Sequence, residues 1–237
     1  MKKIFLFSIA FFVAMTTNAQ LTFADDEGGD QEEVEPVGIK DRRKNVMSLG
    51  LKLGGNLSTM TTYKEVDLGQ KSGFGFDVGA VIGARFGKHT KASDPGTGPI
   101  GVQLEVLYSL HTVRTAMSDN IKLSYLEVPV MFRYYFFQDL HVEAGICIAG
   151  MLSSSPERLT ANLNEPWPGR NTVSIATGNF KGFDLRPVLG LGYIIPKTGL
   201  GLNARYYFGT SDLAENFPCK VSSFEFALSW SFNVLKF

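Results

Sequence analysis

The chain has 237 residues, 44% of them hydrophobic and 19% charged, with 23 basic and 23 acidic residues and a formal charge of zero. Charge is scarcer than the ~25% of an ordinary soluble domain, and the even balance gives no electrostatic footprint for nucleic acid. The two cysteines, Cys147 and Cys219, form no metal or redox motif.

Residues 1–19 read as a signal peptide. Lys2 and Lys3 precede an apolar run, and Thr17-Asn18-Ala19 is a small-residue cleavage site before Gln20. The run is too short to cross a bilayer as a helix, which takes ~20 residues. Residues 20–45 read as a disordered periplasmic tether. The acids from Asp25 to Glu33 cannot bury a core, and Lys40 to Lys44 reverses the sign.

Residues 46–237 form the third region. Eight segments in it alternate apolar and polar residues with a period of two: 46–57, 72–86, 100–111, 121–136, 140–152, 183–195, 200–209 and 224–235. The clearest is 72–86. There Phe74, Phe76, Val78, Ala80, Ile82, Ala84 and Phe86 alternate with glycines, Asp77, Val81 and Arg85. Connections 58–71, 112–120, 153–179 and 210–220 lie at one end. Connections 87–99, 137–139 and 196–198 lie at the other. Mostly long at one end and short at the other is the habit of outer-membrane barrels, with the N-terminus on the periplasmic side. Pro129 and Pro187 sit within segments and cannot donate ladder bonds, so bulges are expected there.

The pattern predicts an all-β fold, an eight-stranded antiparallel up-and-down transmembrane β-barrel. Alternation alone leaves open which face is inside. An eight-stranded lumen barely holds its own side chains, and the apolar faces carry far more bulk than it admits. The glycine-rich polar faces fit it, and the apolar faces contain no Asp, Glu, Lys or Arg. Tyr134, Tyr135, Phe136, Phe137, Tyr193, Tyr206, Tyr207 and Trp230 near segment ends read as interfacial girdles. A closed monomer in contact with outer-membrane lipid follows.

Leu49 to Ser58 (LGLKLGGNLS), Tyr125 to Phe136 (YLEVPVMFRYYF), Gly190-Leu-Gly-Tyr193 and the terminal Phe237 together resemble the PorT-like outer-membrane β-barrel family of Bacteroidetes. The resemblance covers roughly residues 46–237, and the Tyr-Leu-Glu-Val-Pro strand is its most specific part. It implies an outer-membrane location and insertion by the barrel-assembly machinery, with Phe237 as the candidate insertion signal. Phe237 is out of step with Phe226, Trp230 and Phe232. Either the strand slips near Leu235, or the terminal Phe is not read as that signal.

The chemistry lies on the polar faces. Lys52, Arg85, Arg133, Arg186 and Arg205 meet Asp77, Glu105, Glu127, Glu143, Asp184 and Glu225 there. Buried charges must be paired, so this interior network reads as a salt-bridged plug. The alternative is the lining of a narrow ion or solute channel. No cofactor motif, metal site or catalytic site is predicted. A rim hydrolase or acyltransferase would need His111, Asp119 and Ser153–Ser155 to meet, which their spacing does not require. His141 and Glu143 share a face without further ligands. Cys147 should point inward, and an oxidising compartment permits its pairing with Cys219. Segment 153–179, with Glu165-Pro-Trp167-Pro-Gly-Arg170, is the expected outer contact surface, with Trp167 and Arg170 as candidate contacts; the equal alternative is that Trp167 folds back over the barrel mouth. It and the tether are the two places where an unknown protein partner could dock.

Overall fold

Among the residues described by a computed structural model, period-two alternation resolves into eleven strands. The model describes residues 45–62, 66–67, 69–86, 98–116, 120–137, 139–167, 170–176, 182–195, 198–213 and 219–236. The expected signal peptide, the tether up to residue 44 and Phe237 lie outside these residues. The strands are β1 (Val46–Thr62), β2 (Val66–Asp67), β3 (Lys71–Phe86), β4 (Ile100–Arg114), β5 (Ile121–Phe137), β6 (Leu140–Ser155), β7 (Arg158–Trp167), β8 (Arg170–Ala176), β9 (Phe183–Ile194), β10 (Leu200–Tyr207) and β11 (Cys219–Lys236). Eight of them close into an antiparallel ring, β1–β11–β10–β9–β6–β5–β4–β3, with β3 returning to β1. Ring neighbours follow chain order, so this is the expected up-and-down barrel. Closure leaves no ring strand with an unpaired edge, which is what a lipid solvent demands of a sheet.

The segment expected as an outer loop, 153–179, is instead mostly strand. Its hairpin β7–β8 joins β2 in a separate three-stranded sheet. The barrel strands are also longer than expected at this end: β1 runs to Thr62 and β11 begins at Cys219. The cause is a reversal of phase. Along most of each strand the apolar residues face out, as with Leu104, Leu191 and Phe226, all more than 40% exposed, while Lys52, Glu105 and Arg205 are buried inside. At the upper end the sense inverts. Met60, Val113, Ile121, Leu123, Cys219 and Val221 point in, and Thr61, Arg114 and Lys122 point out. The barrel is therefore inside-out over a band and outside-in above it, so a pattern search tuned to one phase stops too early.

The bulges expected at Pro129 and Pro187 are absent. Opposite Pro129 the β4–β5 ladder skips Glu105 and Val106 without a change of register. The carbonyl of Pro187 accepts from Phe208 N at 2.9 Å. In an antiparallel ladder a residue's N and O face the same neighbour, so the proline nitrogen faces the point where β10 has ended at Tyr207. Register shifts fall near strand ends instead, including Ser72/Phe76, Ser124/Tyr125 and Tyr135/Phe137. Another lies where Met47 pairs with Leu235 and Ser48 with Asn233, leaving Val234 unpaired. A slip near Leu235 was one of the two alternatives, and this one leaves Val234 and Leu235 exposed in succession. Two of the expected girdle aromatics, Tyr135 and Tyr207, face inward and are buried, because each lies on the polar parity of its strand.

The lumen charge network as candidate functional site

Strand parity delivers one charged side chain after another to the barrel axis. Among the eleven residues expected inside, Lys52, Asp77, Glu105, Glu127, Arg133, Glu143, Asp184, Arg186, Arg205 and Glu225 are all buried. Arg85 is the departure. It sits half-buried at the lower rim, where its Nη1 donates to Asp139 at 2.8 Å, its Nε donates to the Gly98 carbonyl at 2.6 Å, and its guanidinium lies over the Tyr135 ring.

The lower tier centres on Arg205. Its Nη1 and Nη2 donate to the two Glu105 oxygens at 2.8 and 2.6 Å, a bidentate fork, and its Nε donates to Glu143 at 2.5 Å. Arg133 shares Glu143 at 3.0 Å. Lys52 bridges Glu105 at 2.9 Å and Glu225 at 2.5 Å, and Tyr207 donates its hydroxyl proton to Glu225 at 2.8 Å. Gln103 donates to Glu105. Charge-assisted bonds of this kind are the strong ones, and here they tie β1, β4, β5, β6, β10 and β11 together across the lumen.

Above it, Met131, Cys147, Val188 and Tyr207 form a small apolar cluster. The upper polar tier follows. Arg186 donates to Glu127 at 2.8 Å and to Asp184 at 2.5 Å, and it lies against the Tyr125 ring. His111 contacts Glu127 through Nε2 at 2.9 Å and Ser58 through Nδ1 at 2.7 Å. Asn56 donates to both Asp77 oxygens, at 2.9 and 3.0 Å. Over this tier lies an apolar cap of Met60, Val113, Ile121, Leu123, Tyr125, Ala149, Cys219 and Val221. It is completed by Leu213, whose N–H donates to the Cys219 carbonyl at 2.9 Å.

The cluster brings a serine, a histidine and a glutamate together, but its hydrogen-bond order is wrong for nucleophilic catalysis. Asn56 must turn its NH2 to the Asp77 carboxylate, which can only accept. Its Oδ1 therefore accepts the Ser58 proton at 2.9 Å. Ser58 then accepts from His111 Nδ1, so the imidazole acts as donor where a general base must accept. The serine is also buried beneath the apolar cap. In the rim site considered above, His111 is engaged inside, Ser153 is exposed, and Asp119 lies outside the described residues. Asp77, His111 and Glu127 offer ligand atoms within 4.8 Å of one another. The Arg186 guanidinium already supplies positive charge there, 2.8 Å from Glu127 and 3.4 Å from His111. Cys147 and Cys219 are both buried and free. Trp167 and Arg170 pair at the closed end of the β7–β8 hairpin, and their side chains lie outside the described residues.

The polar parity of 100–111 and 121–136 had already put Ser109 and Tyr125 inside; sequence reasoning missed the uncharged members Asn56, Ser58 and Tyr207, and the rest of the apolar cap. The signal for the first group was parity, since each lies an even number of residues from a predicted inward charge. For the cap the signal was the opposite phase at the segment ends.

A family model described as outer membrane protein beta-barrel domain matches residues 30–215. Three solved structures match the chain over most of their length. Ail, the attachment invasion locus protein of Yersinia pestis, solved in complex with a heparin analogue, is 11% identical over 79% of this chain and 99% of its own, with a TM-score of 0.42. Neisserial surface protein A is 12% identical over 78% and 97%, with a TM-score of 0.46. The outer membrane protein AlkL is 12% identical over 88% and 97%, with a TM-score of 0.32. No curated protein sequence matches the chain.

Proposed function

This chain belongs to the outer membrane protein beta-barrel domain family, and from that premise we propose that it is a non-conducting membrane platform that carries a small sheet at its outer end. Family membership implies the outer membrane as its location. The observation that carries the platform reading is the filled lumen. Two tiers of paired charge span the barrel, and the apolar cap with Leu213 closes the upper end. An ion would have to break charge-assisted bonds below and cross a dry layer above. The cap also supports an assignment of ends, because an extension with polar residues outward and apolar residues inward suits water outside the bilayer. We take that end, with β2, β7 and β8, as the extracellular one, which leaves the N-terminal tether in the periplasm. An unknown protein partner would dock through the hairpin or the tether. Insertion by the barrel-assembly machinery and cleavage near Ala19 complete the reading. The Tyr125-Leu-Glu-Val-Pro129 strand supports a PorT-like grouping within the family.

The experiment is single-channel recording of the purified barrel in planar bilayers. The expected result is no discrete conductance steps at either polarity. Steady steps that shift in size when Arg205 or Arg186 is neutralised would make the lumen a channel and sink the plug.

A further inference from the structure

The outward face of the barrel is uncharged until just above the apolar band, where three basic residues appear on consecutive strands. Lys71 on β3 pairs directly with Arg114 on β4, and Lys122 on β5 pairs with Thr112. Arg114 and Lys122 are thus diagonal neighbours, within reach of long side chains. All three are exposed. Among the described residues none of them makes an ion pair with an acid. Like charges directly opposite in a ladder repel and destabilise it. The lumen neutralises each of its arginines with carboxylates, whereas this row leaves three cations together.

The height of the row identifies what neutralises it. On β4 the outward apolar residues run from Ile100 to Leu110. Ten steps of ~3.3 Å at a tilt of ~40° make a band of about 25 Å, the usual lipid-facing height of such barrels. Arg114 lies four residues beyond Leu110, Lys122 four residues beyond Leu126 on β5, and Lys71 three residues beyond Phe74 on β3. All three therefore sit about 8–10 Å past the hydrocarbon edge, at the rim of the headgroup layer. Their flexible stems can bring the cationic heads down to it.

We propose that Lys71, Arg114 and Lys122 form a binding site for the phosphorylated headgroup of a membrane lipid in the leaflet at the capped end of the barrel. Phosphate oxygens accept from the Arg114 guanidinium as a fork and from the two ammonium groups as point charges. The repulsion between Lys71 and Arg114 then becomes shared attraction to one anion. That this leaflet is the outer one rests on the orientation proposed above; the lipid contact itself does not.

The test is native mass spectrometry on the mature chain folded in zwitterionic detergent. The chain is exchanged with bis-phosphorylated lipid A, with the same lipid stripped of phosphate, or with inorganic phosphate alone. Wild type should retain the phosphorylated lipid, more weakly as salt rises. The combined variant Lys71→Gln, Arg114→Gln, Lys122→Gln should hold it about a hundredfold less tightly, at roughly fivefold per charge removed. Equal retention by the two proteins, or equal retention of the stripped lipid, would overturn the proposal. Inorganic phosphate held as tightly as the lipid would also overturn it in favour of a free-anion site. If the combined variant does not fold, Lys122→Gln alone is read the same way for its fivefold loss. Micelles have no sides, so this result is independent of orientation, which protease digestion of the hairpin on intact cells reads separately.

Discussion

At the scale of single residues, the lumen separates charges that hold the barrel from charges that decorate it. Arg205 is fully buried and is shared by Glu105 and Glu143. Truncating it to alanine leaves two carboxylates facing each other with fewer counter-charges, and breaking a buried pair in this way costs about 3–5 kcal/mol. Arg85 makes a comparable set of contacts at the rim, but water reaches Asp139 beside it, so Arg85→Ala should cost about 1 kcal/mol or less. Urea unfolding in micelles, followed by tryptophan fluorescence, ranks the two. Equal midpoints for the variants would mean that water screens the lumen as well as the rim. Ser58, His111 and Glu127 have the composition of a hydrolytic triad, yet the Asn56–Asp77 contact sets the direction of the hydrogen bonds from Asn56 through Ser58 to His111 Nδ1.

At the scale of elements, the β7–β8 hairpin stands apart from the ring. It pairs with β2, and no ladder joins it to a barrel strand among the described residues. Beneath it β6 passes its hydrogen bonds straight to β9, from Leu140↔Tyr193 to Gly150↔Phe183. Replacing 158–176 with a short Gly-Ser linker should therefore leave the barrel able to fold, with a change in unfolding midpoint of about 1 kcal/mol or less, since loop length itself costs little. A variant that no longer folds in micelles would show that the hairpin helps to close the ring. The upper ends of β1, β4, β5 and β11 behave differently. Their inward residues Met60, Val113, Leu123 and Val221 form the cap, so shortening these strands would uncover apolar surface at the mouth.

At the scale of the whole molecule, one chain uses both arrangements of a barrel in series. Where the solvent is lipid the apolar side chains face out, and where it is water they face in. This arrangement predicts heat modifiability. The mature chain folded in micelles should migrate faster on an SDS gel unboiled than boiled, because a closed ladder with no free edge resists the detergent. A single band position, together with a chain soluble and monomeric without detergent, would require the apolar faces to enclose a cavity. The same inversion puts Lys71, Arg114 and Lys122 in one layer above the band.

The ring and its filling were legible in the sequence because a β-strand sends alternate residues to opposite faces. Parity alone therefore assigned Lys52, Glu105, Arg186 and Arg205 to one side, and volume chose that side as the lumen. The break in parity between Phe232 and Phe237 was legible for the same reason, but it left a strand slip near Leu235 as one of two alternatives. Parity carries no information about which inward charge meets which. That depends on stagger between strands, so the fork of Arg205 on Glu105, 100 positions apart in the chain, appears only when the ring closes. The cap was hidden because its phase is set by which solvent surrounds each height of the barrel, and height is a property of the tilted, closed sheet. The tolerance of Pro129 and Pro187 without bulges was likewise decided in three dimensions, by gaps and strand ends in the neighbouring ladder. The local alternation fixed what each residue faces; closure of the ring decided what it touches.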